Sequence, residues 1–140
     1  MKTAYTFNDV MFEPQFSTIE SRSEVDLTTK LGNLTLPLPV VSANMADITE
    51  EKMARAMHWN GGLGILHRFM SIEENVEMFD TSVDLIGQAT NLSSVKPLCD
   101  FEDIPKYVGV SVGVGEKAKE RFIALLDRDW ETFLHFLQLT

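Results

Sequence analysis

The stretch from Val40 to Met70 constrains this chain most, because two short apolar runs alternate there with two capped helical patterns. Residues 37–41 are apolar and suit a strand buried on both faces of a parallel sheet. Ser42-Ala43-Asn44-Met45 would form the loop at its C-terminal end. Asp47 followed by Glu50 has capping-box spacing, and Asn60-Gly61 stops the helix between them. A second run, Leu63 to Leu66, brings His67 and Arg68 to the same edge, where Ser71 and Glu74 cap another helix. Strand, helix, strand, helix reads as a right-handed βαβ unit, which places its binding groups at C-terminal strand ends.

The pattern extends in both directions. It predicts strands over 37–41, 63–67 and 107–112, and helices over 50–60, 72–79 and 116–127. On the first helix, Met53, Ala54, Ala56 and Met57 fall on or near one face, as a helix lying on a sheet requires. Before the first strand, residues 25–36 read as a small hairpin turning at Gly32-Asn33, an arm or cap over the floor of the sheet. The expected division is an arm over 1–36, three βα units over 37–128 and a tail of different character over 129–140.

Composition narrows the function classes. With 44% hydrophobic residues in 140, the chain can bury a core. A net charge of −9, spread rather than run together, argues against nucleic acid or an anionic membrane as partner. The single cysteine, Cys99, rules out an internal disulfide framework and fits a reducing compartment. No apolar stretch reaches the length of a membrane span and no leader pattern is present, so a cytoplasmic location is expected. No metal site is expected.

Phe7-Asn8-Asp9-Val10 with Pro14 and Ser17 opens a series of short motifs. Ser21-Arg22-Ser23-Glu24-Val25-Asp26-Leu27 follows, then Ser42-Ala43-Asn44-Met45 and Thr49-Glu50. Gly61-Gly62-Leu63-Gly64-Ile65-Leu66-His67 and Ser71-Ile72-Glu73-Glu74 complete it. In this order the motifs resemble the N-terminal part of the IMP dehydrogenase/GMP reductase family of (β/α)8 barrel enzymes. The resemblance is continuous over residues 5–79 and returns over 108–126. It implies an α/β fold corresponding to about three βα units of a TIM barrel, preceded by a hairpin arm.

The resemblance also implies a function. The family comprises NAD(P)-dependent oxidoreductases acting on GMP or IMP. By resemblance, Ser42, Ala43, Asn44, Met45 and His67 would face the purine nucleotide, and Arg68 the NADP or NAD cofactor. Ser21 and Arg22 match a pair that reaches the dinucleotide of a neighbouring subunit, so a homo-oligomer, or a complementing remainder of the barrel, is the implied partner. The reductase reading rests on Ser21-Arg22-Ser23-Glu24 and on the interval 80–106, too short for the regulatory module many dehydrogenases insert there, since a domain needs at least ~50 residues. The dehydrogenase is the alternative, and a non-catalytic interaction module or truncated gene product is another.

Other readings of the same residues stand beside these. Ser42–Met45 could be a polar strand-end turn with Met45 as core filler, and Ser21-Arg22 a solvated loop. Gly113-Val114-Gly115 reads as close passage from strand to helix, and Gly61-Gly62-Leu63-Gly64 precedes a strand rather than opening a helix, so neither is a nucleotide fingerprint. Three departures from the family matter. Ala46-Asp47 stands where the family has Asp-Thr, so a hydrogen bond orienting the loop must be lost or relocated. Arg68 stands where the reductases carry Lys, keeping the charge but not a neutral proton donor. The tail carries no counterpart of the family's fourth strand. The family's nucleophilic cysteine lies on a loop beyond this sequence, and Cys99, in Lys96-Pro97-Leu98-Cys99-Asp100, matches no catalytic motif. No catalytic residue is assigned, and these 140 residues are expected to be inactive alone and to bind no cofactor tightly.

Overall fold

The computed structural model describes residues 3–32, 34–87 and 107–128. Cys99 and the tail over 129–140 lie outside the described residues. Residues 3–28 are exposed throughout and carry only a short 3-10 turn, Arg22–Glu24. Ser21 caps that turn reciprocally: its hydroxyl accepts from the Ser23 amide, and its own amide donates to Glu24 Oε1 at 3.0 Å.

Next comes the hairpin of β1 (Thr29–Leu31) and β2 (Leu34–Leu36), antiparallel with Lys30 opposite Thr35. Gly32 takes a φ of 59° at the turn, a conformation that favours glycine. Along β2, Leu34 and Leu36 are buried and Thr35 is exposed, the period of two that a one-sided strand requires. The two leucines pack with Leu63 and Tyr107, which stand just before the next two strands. The hairpin therefore covers the N-terminal end of the sheet.

That sheet is parallel. β3 (Gly64–Leu66) pairs with β4 (Val108–Val110), Gly64 opposite Val108 and Leu66 opposite Val110. The first predicted strand, 37–41, is reduced to one parallel bridge, Val41 to Leu63. The reason is proline. Pro37 and Pro39 have no amide to donate, and the Val40 amide turns back onto Leu38 O at 2.8 Å. Its end still pairs, with Leu63 N donating to Val40 O and Ser42 N to Leu63 O. The order first, second, third is kept. The other two strands are also shorter than 63–67 and 107–112; after a last rung from Ser111 N to Leu66 O, the His67 carbonyl accepts from Asn75 Nδ2 instead of from a strand.

Three helices follow their strands. α1 (Glu51–Trp59) ends at Asn60, and Gly61 with φ 78° releases the chain as expected. Its start differs: Asp47 is not a cap but sits in a left-handed turn at φ 66°, and Glu50 stands at the N-cap without a side-chain hydrogen bond. The buried face of α1 is Ala54 and His58, one turn apart, while Met53 and Ala56 are exposed; the face is turned past Ala54 toward His58, which the expected stripe did not include. α2 (Ile72–Gly87) begins at the Ser71/Glu74 box, with bonds of 2.8 and 3.1 Å, and runs well past Phe79. No proline or glycine interrupts it before Gly87, and Phe79, Ser82 and Ile86 keep one face buried. α3 (Glu116–Leu126) closes one residue early, with Asp127 as its cap.

Ala54, Leu66, Val76, Phe79, Ile86, Val108 and Leu125 form the core between helices and sheet. Gly64 permits this contact, since a Cβ there would stand 2.5 Å from Ala54 Cα. Among the described residues no helix is long and apolar enough to cross a membrane.

Candidate functional site

The loop after the first strand is held from below by one hydroxyl. Thr49 is fully buried, donates to the Ala43 carbonyl at 2.6 Å and hydrogen-bonds Ser42 Oγ at 2.8 Å. The Thr49 amide also donates to Met45 O at 3.1 Å. These bonds span both ends of Ser42–Met45, so the loop is set in place rather than left to solvent. Ala43, Asn44 and Met45 remain exposed above it, Met45 at 54%. Met45 is therefore no core filler, and its side chain is available to a ligand. In this chain the bonds that orient the loop come from Thr49.

His67 stands at the end of β3 and is 4% exposed. Its Nδ1 accepts the Phe69 amide at 3.2 Å, which leaves the proton of the neutral ring on Nε2. Nε2 is buried and has no hydrogen-bond partner among the described residues. The nearest carboxylate, Glu50 Oε1, lies 3.6 Å away, an ion-pair distance but too long for a hydrogen bond. Glu50 closes the loop that Thr49 anchors, so the first and second strand ends meet at this pair. A buried donor without an acceptor costs free energy, and a ligand oxygen entering there would satisfy it.

Arg68 leaves the same strand end in the other direction. Its guanidinium carbon sits 5.5 Å from the Phe69 ring centroid, a cation–π distance. Gly113, φ 86°, is also close: a Cβ there would stand 3.1 Å from Arg68 Nη1. Gly113 thus reads as close passage, but of a side chain from the neighbouring strand end. Arg121 of α3 fastens the loop below: Nη2 donates to Met70 O at 2.8 Å, and Nη1 to Ser71 O at 3.1 Å and Asn75 Oδ1 at 2.8 Å. Asn75 in turn holds the His67 carbonyl.

A family model, IMP dehydrogenase / GMP reductase domain, matches residues 4–134. The chain belongs to this family. It is 54% identical over 74 residues to inosine-5'-monophosphate dehydrogenase of Nitrosopumilus maritimus, covering 52% of this chain and 16% of that one. To the enzyme of the same name from Methanocaldococcus jannaschii it is 37% identical, over 85% of this chain and 28% of the relative. Among solved structures, inosine 5' monophosphate dehydrogenase from Legionella pneumophila superposes with a TM-score of 0.63 at 41% identity, over 89% of this chain and 32% of the other. GMP reductase from Trypanosoma brucei, in complex with guanosine 5'-triphosphate, gives 0.52 at 48% identity, over 56% and 19%. The chain thus spans less than a third of the relatives it matches, and its α/β fold is the N-terminal part of their (β/α)8 barrel.

In this family frame the residues fall into two groups. Ser42, Ala43, Asn44, Met45 and His67 come together at adjoining strand ends, and Arg68 sits at the next junction. Ser21 and Arg22 do not join them: they are exposed, and the hydrogen bonds of Ser21 stay inside its own turn. Reasoning on sequence missed Thr49 as anchor, Glu50 as neighbour of His67, and Asn75 and Arg121 as supports. Thr49 carried a usable signal, being the only hydroxyl between Met45 and α1. Arg121 carried none, since its partners are main-chain groups some 50 residues earlier. Among the described residues no three His, Cys, Asp or Glu side chains converge as a metal would need.

Proposed function

We propose that this chain supplies the purine-nucleotide-facing loops of an NAD(P)-dependent oxidoreductase that is GMP reductase-like, taking GMP to IMP with NADPH. The observation that carries this reading is the pair of strand ends: a loop fixed by Thr49 beside a buried imidazole whose Nε2–H has no acceptor among the described residues. Ser42–Met45 would line the base and ribose, and His67 would donate to an oxygen of the nucleotide. Arg68, set beside Phe69 and Gly113 and without a carboxylate partner among the described residues, fits the amide or phosphoryl groups of a dinucleotide. NADPH, when bound, supplies the hydride. Ser21 and Arg22, exposed on the arm over 1–36, would serve the cofactor of a neighbouring copy rather than their own. Residues 37–128 are the first three βα units in this reading. The interval between α2 and β4, residues 88–107, favours the reductase because it is shorter than a regulatory domain.

A second reading is an IMP dehydrogenase, oxidising IMP with NAD. It is favoured by the Nitrosopumilus and Methanocaldococcus dehydrogenases to which this chain is similar and by the superposition over 89% of it. In either case the nucleophile loop of the family has no counterpart here, so these residues bind nucleotide without turning it over. Calorimetric titration of the chain with GMP and IMP, beside a cofactor-absorbance assay, tests this. We expect saturable GMP binding, tighter than IMP, weakened in His67→Ala, with no turnover. Tighter IMP binding would move the assignment to the dehydrogenase. Absence of both would overturn the two readings and leave the chain as an interaction module.

A further inference from the structure

α2 and α3 pack side by side, fastened by Arg121 on Ser71 and Asn75 and by Arg128 beside Asp80. Between them an open groove of about 610 Å³ faces solvent. Its floor is Ile72, Val76 and Ala124, which rest on the core beneath. Glu73, Glu77 and Asp80 edge it from α2, and Asp127 edges it from α3. Asp84, exposed one turn beyond Asp80, continues the acidic row along about 16 Å of helix.

Helix stability does not account for this row. Glu73 lies in the first turn of α2, where an anion is favoured. Glu77 has no such reason: it stands one turn after Glu73 and three residues before Asp80, spacings at which like charges repel. Asp127 caps the C-terminus of α3, the negative end of that helix, and the last turn holds no basic residue. Of these carboxylates, Asp80 alone has an ion pair among the described residues, with Arg128 at 3.7 Å. The charges are also spread rather than gathered. Among the described residues no three His, Cys, Asp or Glu side chains converge as a metal would need, so the row suits an extended cationic partner.

An apolar floor beside an acidic row of three turns has the form of a helix-binding groove, in which the ridge of a docked helix supplies affinity and its flanking charges set register. The chain's own candidates carry the wrong sign. Residues 129–140 contain Asp129 and Glu131 but no Lys or Arg, and a second copy brings a further net charge of −9. We infer that the α2–α3 groove docks a basic amphipathic helix of another protein, its apolar ridge on Ile72, Val76 and Ala124 and its cations opposite Glu77, Asp80 and Asp127. None of these side chains has a role in the proposed function.

The test titrates the whole chain with a synthetic amphipathic helix of leucine and lysine, about 15 residues long, followed by amide NMR. We expect saturable shifts confined to residues 72–84 and 123–128, weakened by added salt. Glu77→Lys combined with Asp127→Lys should weaken binding by about tenfold or more, as several exposed ion pairs are lost together. Both changes put a cation where the helices favour one, between Glu73 and Asp80 on α2 and at the C-terminus of α3. That variant should therefore melt no lower than the parent, which separates lost binding from lost folding. Glu13→Lys combined with Glu20→Lys changes the net charge equally on the exposed arm and should leave binding within about twofold. A peptide with serine in place of its leucines should not bind. No saturable shift, equal loss in the two double variants, or undiminished binding of the serine peptide would overturn the proposal. So would cross-links joining the groove to residues 129–140, or dimerisation through it, since either would assign the groove to the chain itself.

Discussion

Thr49 shows what a single buried hydroxyl does for this site. It holds Ser42 Oγ and the Ala43 carbonyl while itself fully covered, so Thr49→Val removes two part-buried hydrogen bonds and should destabilise the chain by about 1 kcal/mol in urea unfolding. Thr49→Ser keeps the bonds and should retain most of that stability. The same residue marks what sequence could show. The polar run at 42–45 and the pair His67-Arg68 were legible because strand ends followed by capped helices announce themselves. The anchor was not, because Asp47 with Glu50 offered a better-looking capping box than Thr49 did. Asp47 went instead to a left-handed turn, which its short side chain tolerates and most others do not.

Between elements, two contacts decide how the pieces lock. Arg121 ties α3 to the turn that opens α2, across some 50 residues of sequence. Arg121→Met should cost about 2 kcal/mol of unfolding free energy, and Arg121→Lys should not fully restore it, because an ammonium cannot fork to several separated oxygens. The hairpin locks the opposite end through Leu34, Leu36 and Tyr107. Burial pushes the Tyr107 phenol up from its ordinary value of 10.0, so folding favours the neutral form. Its contribution is whole below pH 10 and is lost as pH rises through the higher folded value. Tyr107→Phe should therefore flatten the alkaline limb of a stability-versus-pH curve; an unchanged limb would place the loss elsewhere. Helix α2 was read too short because sequence periodicity beyond Phe79 competes with scattered polar residues, and the buried Ser82, bonded to Met78 O, disguises the core face.

For the molecule as a whole, alternation of strand and helix was the strongest signal and the most accurate one. It implied a parallel order of three strand positions with helices between, and the motif series resembled the family whose model matches residues 4–134. Strand lengths were misjudged because hydrophobicity does not record hydrogen bonding: Pro37 and Pro39 look like buried strand but cannot donate to it. Among the described residues β4 pairs with β3 alone, leaving one edge of the sheet open where the barrels of the family continue. Phe7, Phe12 and Phe16 are each more than 90% exposed, so the arm has apolar surface that the described residues do not cover. In the function proposed, two adjoining strand ends of this parallel sheet receive a purine nucleotide. Hydrogen–deuterium exchange of the chain with and without GMP tests this most directly. Slowed exchange confined to residues 41–50 and 63–69, and lost in Thr49→Val, is expected; protection elsewhere, or none at saturating GMP, would contradict it.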